Sequence, residues 1–160
     1  VLELYCGDGN FTRDLGAATL TGGAAYVFGG AKPGSGLRDL SGYGIGAKIA
    51  WNGFTFGGGY VYDGKDTLPL DLRPGHALIE SVVDEVNLGL TYEAGRWGFG
   101  GSWARDDRAG LSASDLYALG AVYRVARGLT LGSDLVYFVV PRSDRDSDGY
   151  VLIVESALHF

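Results

Sequence analysis

The sequence predicts an all-β fold: an antiparallel transmembrane β-barrel with meander connectivity, of which about eight strands are present as part of a larger barrel. From residue 18 onward, apolar residues alternate with polar residues or glycine at a period of two. Short and long connections alternate along the chain, and aromatic residues concentrate at strand ends. The composition agrees, since 28 Gly, 10 Tyr, 7 Phe and 3 Trp with only 4 Pro in 160 residues favour strands over disorder.

Composition also excludes several classes of protein. The longest uncharged run, residues 15–31, contains five glycines and is a poor candidate for a transmembrane helix. The formal net charge of −6 argues against a nucleic-acid partner, because phosphate binding needs clustered Lys and Arg. The single cysteine, Cys6, excludes an intramolecular disulfide and a Cys-based zinc site. No catalytic triad or catalytic carboxylate pair stands out, so we expect no enzyme and, apart from the calcium considered below, no cofactor.

The alternating segments are candidate strands, and most have the length of about 9–11 residues that a tilted membrane strand needs. In residues 42–51, for example, Tyr43, Ile45 and Trp51 share one face, and glycines and Lys48 share the other. Residues 1–6 fit a shortened ninth strand. The eight predicted strands are residues 18–28, 42–51, 54–62, 84–92, 97–103, 115–125, 129–140 and 150–160.

The connections between these segments alternate strictly in length. Asn52-Gly53 is a two-residue sequence that favours a type I′ hairpin turn. Residues 93–96 and 126–128 are also short. The long polar connections are residues 29–41, 63–83, 105–114 and 141–149. Tight turns at one rim and large loops at the other are typical of a bacterial outer-membrane barrel, with periplasmic turns and extracellular loops.

The aromatic residues fall into two groups that fit the two lipid–water interfaces of such a barrel. A soluble β-sandwich or barrel carrier would also alternate, but it has no reason to place aromatics at strand ends. Beside the short turns lie Trp51, Phe54, Tyr92, Trp97 and Phe160. Near the long loops lie Tyr43, Tyr62, Trp103, Tyr117 and Tyr150.

The opposite face of the strands carries the candidate pore-lining residues Lys48, Glu85, Asn87, Thr91, Arg124, Asp134 and Glu155. Facing lipid, such groups are costly, whereas they are well solvated on the wall of a water-filled lumen. We interpret them as a pore wall whose charges tune ion selectivity. The alternative is a closed small barrel in which they pair with one another. Acidic and basic residues are too mixed in this set to predict a selectivity.

The last segment, YVLIVESALHF, resembles the C-terminal strand of Gram-negative porins, which has alternating apolar residues and a terminal aromatic residue. GYGIGAKIAWNGFTFGGGY is similar to porins of the alphaproteobacterial type. The resemblance covers residues 18–160 and implies the C-terminal half of a general-diffusion porin. It further implies an outer-membrane homotrimer in contact with lipid and lipopolysaccharide. It also implies passive diffusion of small hydrophilic solutes and a last strand, ending at Phe160, that the barrel assembly machinery reads.

The N-terminal stretch VLELYCGDGNFTRDLG resembles the first motif of the S-adenosylmethionine-dependent enzymes that methylate RNA uracils. That motif needs a helix after its glycine loop and an acidic residue about 20 positions on, within a βαβ unit. Here a poor helix sequence follows, Asp39 falls too late, and no second cysteine is present. We therefore assign residues 1–17 to an N-terminal strand with a polar loop from Gly7 to Gly16, and residues 18–160 to the barrel.

An acidic loop near the C-terminus matches the calcium-loop pattern, with Asp144, Asp146, Asp148 and, at its twelfth position, Glu155. In an extended strand Glu155 lies about 20 Å from Asp148 and cannot close the site. A partial Ca²⁺ or Mg²⁺ site formed by the three aspartates, bridging lipopolysaccharide, is one hypothesis. A solvated acidic loop is the other.

Two alternatives to a porin remain from the sequence. One is a complete eight-stranded outer-membrane barrel, whose filled interior suits a structural or adhesion role. The other is a methyltransferase fragment. Solute preference and the strand number of the whole protein are not predicted.

Overall fold

The computed structural model describes residues 2–31, 40–64, 83–108, 113–140 and 147–158. These residues form one sheet of nine antiparallel strands in sequence order, so the connectivity is a meander, as predicted. Among them, no helix is long and apolar enough to cross a membrane. The strands are β1 (Leu2–Asp14), β2 (Ala18–Ala31), β3 (Leu40–Trp51), β4 (Phe54–Asp63), β5 (Val83–Ala94), β6 (Trp97–Arg108), β7 (Ser114–Ala126), β8 (Leu129–Val140) and β9 (Ser147–Leu158).

Four tight connections lie at one edge of the sheet, which we call the short-turn rim. Asn52 and Gly53 have φ values of 48° and 82°, the positive pair that a type I′ turn requires. Gly95 and Gly128 also have positive φ, at 60° and 81°, in the next two hairpins. The opposite edge, the long-loop rim, contains the strand ends joined by the long connections. The predicted alternation of short and long connections is therefore confirmed.

The N-terminal prediction was wrong in one respect. β1 continues through the supposed polar loop to Asp14, and the chain turns only at residues 15–17. Gly16 has a φ of 78°, and the backbone N–H of Leu15 donates to the carbonyl of Ala18 at 2.7 Å. This connection is thus a tight turn at the short-turn rim, like the other three.

The strand register divides the residues into two faces. The outer face carries Trp51, Phe54, Tyr92 and their neighbours at alternate positions, and the inner face carries Lys48, Thr55 and Thr91. Because every cross-strand partner lies on the same face, this division extends from β1 to β9.

No hydrophobic side chain in the described part of the chain is buried, so this sheet has no core of its own. Most of its large exposed apolar side chains lie on the outer face, with Leu152 at 67% and Val154 at 75% exposure, while a smaller number, such as Leu116 and Ile153, lie on the inner face. A soluble protein rarely leaves so extended an apolar surface uncovered. The outer face therefore requires an apolar environment such as lipid.

The sheet is open, and over the described residues β1 and β9 are not paired with each other. With nine antiparallel strands, β1 and β9 run in the same direction, so antiparallel closure requires an odd number of further strands. Bacterial single-chain barrels have an even total. The nine-stranded open sheet does not fit the alternative of a complete eight-stranded barrel, and it agrees with part of a larger one.

Candidate pore wall

The structure brings all seven predicted pore-lining residues onto the inner face. Five of them stand directly opposite a glycine on a neighbouring strand. These pairs are Lys48 with Gly57, Asn87 with Gly59, Thr91 with Gly100, Asp134 with Gly120, and Glu155 with Gly132. Glu85 and Arg124 are opposite Val61 and Thr130.

Glycine gives the charged side chains room to lie across the adjacent strand. A Cβ atom added at Gly132 would lie 2.8 Å from Oε1 of Glu155, and one added at Gly57 would lie 2.9 Å from Cβ of Lys48. At Gly120 it would overlap the carboxylate of Asp134. The carboxylates of Asp134 and Glu155 therefore lie over the glycines of the neighbouring strand.

Arg124 makes an ion pair that the sequence did not suggest. Its Nη2 lies 3.1 Å from Oε2 of Glu93, two strands away. The intervening strand carries Gly98 opposite Glu93, and glycine offers no side chain to block the contact. Both side chains are more than half exposed, so the pair contributes little to stability. Glu93 was missed because the predicted strand stopped at residue 92, whereas β5 continues to Ala94.

Sequence reasoning also missed the inner face of β1. Cys6, Asp8, Asn10, Thr12 and Asp14 alternate onto this face, opposite the inner residues of β2. Near the turn, the hydroxyl of Thr19 donates to Oδ1 of Asp14 at 2.9 Å. The period of two was visible in the sequence, but the glycines between these residues indicated a loop.

The outer face carries every predicted girdle aromatic that the structure describes, while Phe160 lies outside the described residues. Several stack across strands, with ring centroids 4.3 Å apart for Phe54 and Tyr92 and 5.2 Å for Tyr43 and Tyr62. Tyr43 and Tyr150 lie towards the long-loop rim, and Trp51 lies at the short-turn rim. From Tyr43 to Trp51 the strand spans about 26 Å, or about 20 Å after a tilt of about 40°, close to the usual apolar band of about 25 Å.

Between these two belts the described outer face of β2 to β9 has no charged residue, and Ser133 and Ser156 are its only non-aromatic polar side chains. A face with neutral, mainly apolar residues between aromatic borders, backed by a charged face, matches a membrane barrel wall.

Comparison with known proteins agrees with this geometry. The profile of the Gram-negative porin family matches residues 5–142. The chain belongs to the Gram-negative porin family. It therefore lies in the bacterial outer membrane, and its family and fold are non-enzymatic kinds of protein. No curated protein sequence matches this porin chain significantly.

Among solved structures, the chain is similar to a porin refined at 1.8 Å resolution, with a TM-score of 0.61 and 20% sequence identity. The match covers 92% of this chain and 50% of that porin chain. At this identity the likeness shows the fold alone. This porin chain thus spans about half the length of the solved porin.

At the long-loop rim, outer aromatics donate hydrogen bonds to aspartates on neighbouring strands. The hydroxyl of Tyr60 donates to Asp84 at 2.7 Å, and Nε1 of Trp103 donates to Asp115 at 3.0 Å. Tyr137 and Asp148 form a third pair at 3.2 Å. Such pairs suit an interface, where the ring lies against lipid and its polar atom meets headgroups.

The calcium hypothesis stays a prediction, because Asp144 and Asp146 lie outside the described residues. Asp148 is on the outer face and Glu155 on the inner face, so these two cannot share a metal ion. In the part of the chain that the structure describes, no three His, Cys, Asp or Glu residues are grouped to hold a metal.

Proposed function

We propose that the whole protein forms a water-filled pore for passive diffusion of small hydrophilic solutes and ions across the outer membrane. The observation that carries this proposal is the contrast between the two faces. Charged residues are distributed along the inner face, whereas the described outer face of β2 to β9 has none between its aromatic belts. Solvating the inner groups requires water on that side of the wall.

The seven predicted residues are proposed as pore lining, and the aromatic belts as the membrane girdle. The glycines opposite Lys48, Asn87, Asp134 and Glu155 support this role, because they widen the space in front of the wall. Homotrimer formation, lipopolysaccharide contact and recognition of the last strand at Phe160 are proposals that follow from the porin resemblance. No observation favours a catalytic activity, and the glycine-rich stretch at Gly7 lies inside β1.

The proposal is tested by recording the purified full-length protein in a planar lipid bilayer. We expect stable, stepwise ohmic conductance, because a fixed water-filled lumen conducts without a chemical step. Circular dichroism and heat-modifiable migration on gels serve as controls for barrel folding. A folded, inserted protein that leaves the bilayer silent would contradict the proposal.

A further inference from the structure

The charges on the inner face are unequal in sign, which the sequence did not reveal. By register, eight acidic residues hold inner positions: Asp8, Asp14, Asp63, Glu85, Glu93, Asp106, Asp134 and Glu155. Among the described strands only three basic residues do so: Lys48, Arg108 and Arg124. The imbalance appears once β1 and the full lengths of β4, β5 and β6 are counted.

The acidic residues are distributed over six strands and do not form one cluster. Asp8 and Asp14 lie on β1, and Asp134 and Glu155 lie on β8 and β9, at the other end of the sheet. The whole described wall is therefore electronegative. One of the bases, Arg124, already lies 3.1 Å from Glu93 and compensates that carboxylate locally.

Two of the inner-face carboxylates, those of Asp134 and Glu155, are opposite glycines, and this places their negative charge on the inner side of the sheet. The side chains of Asp134 and Glu155 lie over Gly120 and Gly132, which have no side chain to displace them. A water-filled lumen bounded by low-dielectric walls concentrates the field of such groups, and rings of Asp and Glu select cations in channels.

We infer that this wall makes the pore prefer cations over anions. The inference rests on the proposed function, since it concerns the same lumen. It requires only the fixed negative charge of the wall and no specific binding site, so small inorganic cations such as K⁺ are suitable probes.

The test is the zero-current potential of the full-length protein in a planar bilayer under a KCl gradient, with about 0.1 M KCl on the dilute side. We expect a K⁺-to-Cl⁻ permeability ratio above one. A wall charge about 10 Å from the ion path, screened over a Debye length of about 10 Å, changes this ratio by somewhat less than twofold. Neutralising two charges, as in D134N/E155Q, should lower the ratio by a factor of about two to three.

The matched control is D115N/D148N, which removes two carboxylates from the outer face. These carboxylates accept hydrogen bonds from Trp103 and Tyr137, and an asparagine oxygen can still accept them. The control should leave the permeability ratio unchanged.

Two kinds of failure are distinguishable. A silent bilayer with folded protein would refute the proposed pore. Conductance with a ratio of one or below, with no decrease in D134N/E155Q, or with an equal decrease in the outer-face control, would refute the cation preference while leaving the pore intact.

Discussion

Glycine has a different role at each position of this sheet, and the distance to the nearest atoms decides which. A Cβ added at Gly58, on the outer face of β4, would lie 2.6 Å from the backbone oxygen of Asn87 and 2.6 Å from Cδ2 of Leu88. At Gly9, on the outer face of β1, nothing lies within 4 Å. The first glycine is required for close approach of two strands, whereas the second is not.

Gly58→Ala should therefore destabilise the protein by about 1–3 kcal/mol, because backbone atoms must move to admit the methyl group. Gly9→Ala is the matched control and should change stability by less than about 0.5 kcal/mol. Urea unfolding in lipid vesicles, followed by tryptophan fluorescence, measures both. Equal effects of the two substitutions on the free energy of unfolding would show that the close approach of β5 at Gly58 does not determine the cost of an added methyl group.

At the scale of single elements, β1 is the strand for which the sequence-based prediction was wrong, because a loop was predicted from Gly7 onward and the strand continues to Asp14. Gly7-Asp8-Gly9-Asn10 has the composition of a turn, and local composition favoured a loop. In the structure, the ring of Tyr26 on β2 lies over Gly7, within 2.7 Å of where its Cβ would be. The ring of Phe11 covers Gly22 in the same way. Cross-strand aromatic rings thus shield glycine backbone within a strand, and this information lies in the partner strand, not in β1 itself.

The strands from β2 to β9 could be predicted because their alternation continues through the glycines and their turns carry Asn-Gly or Gly signals. The inner-face side chains could also be predicted, because a period of two fixes the face of each residue once the strand is known. The ends of the strands could not be predicted, because β5 and β6 extend to Ala94 and Arg108, beyond the last clear alternation of apolar and polar residues. Glu93 and Asp106 were missed for that reason, and the charge balance of the wall with them.

The aromatic cover of Gly7 gives a prediction for the β1–β2 pair. Gly7→Ala should cost about 0.5–1.5 kcal/mol in the native background, because its methyl group must displace the Tyr26 ring. In a Tyr26→Ala background the same substitution should cost nearly nothing, since the ring is absent. A double-mutant cycle of urea unfolding in vesicles measures the difference. An identical cost in both backgrounds would show that the ring does not shield Gly7.

At the scale of the whole molecule, the sheet has a charged inner face and a mainly apolar outer face, which the proposed pore assigns to water and to lipid. This division follows from register alone, because a shift of one residue would turn every charged inner side chain of a strand towards lipid. Adjacent residues of one strand should therefore differ sharply in access to water. β1 is the most informative place to test this, since its strand from Gly7 to Asp14 was not predicted and its native Cys6 is exposed on the inner face.

Two single-cysteine variants in a Cys6→Ser background make the comparison. Asn10→Cys places the thiol on the inner face and Gly9→Cys places it on the outer face, at nearly the same depth in the membrane. A thiolate forms readily in water but not in hydrocarbon, so only the inner thiol should react with a charged, membrane-impermeant maleimide. For the full-length protein in vesicles, mass spectrometry should show at least about a tenfold faster reaction at position 10.

The native protein is the positive control, because Cys6 should react with the same reagent. Detergent-unfolded samples correct for the intrinsic reactivity of each thiol. Equal rates at positions 9 and 10 in the folded protein would mean that β1 does not separate lumen from lipid. The pore wall would then begin at β2, and Asp8 and Asp14 would no longer contribute to its charge.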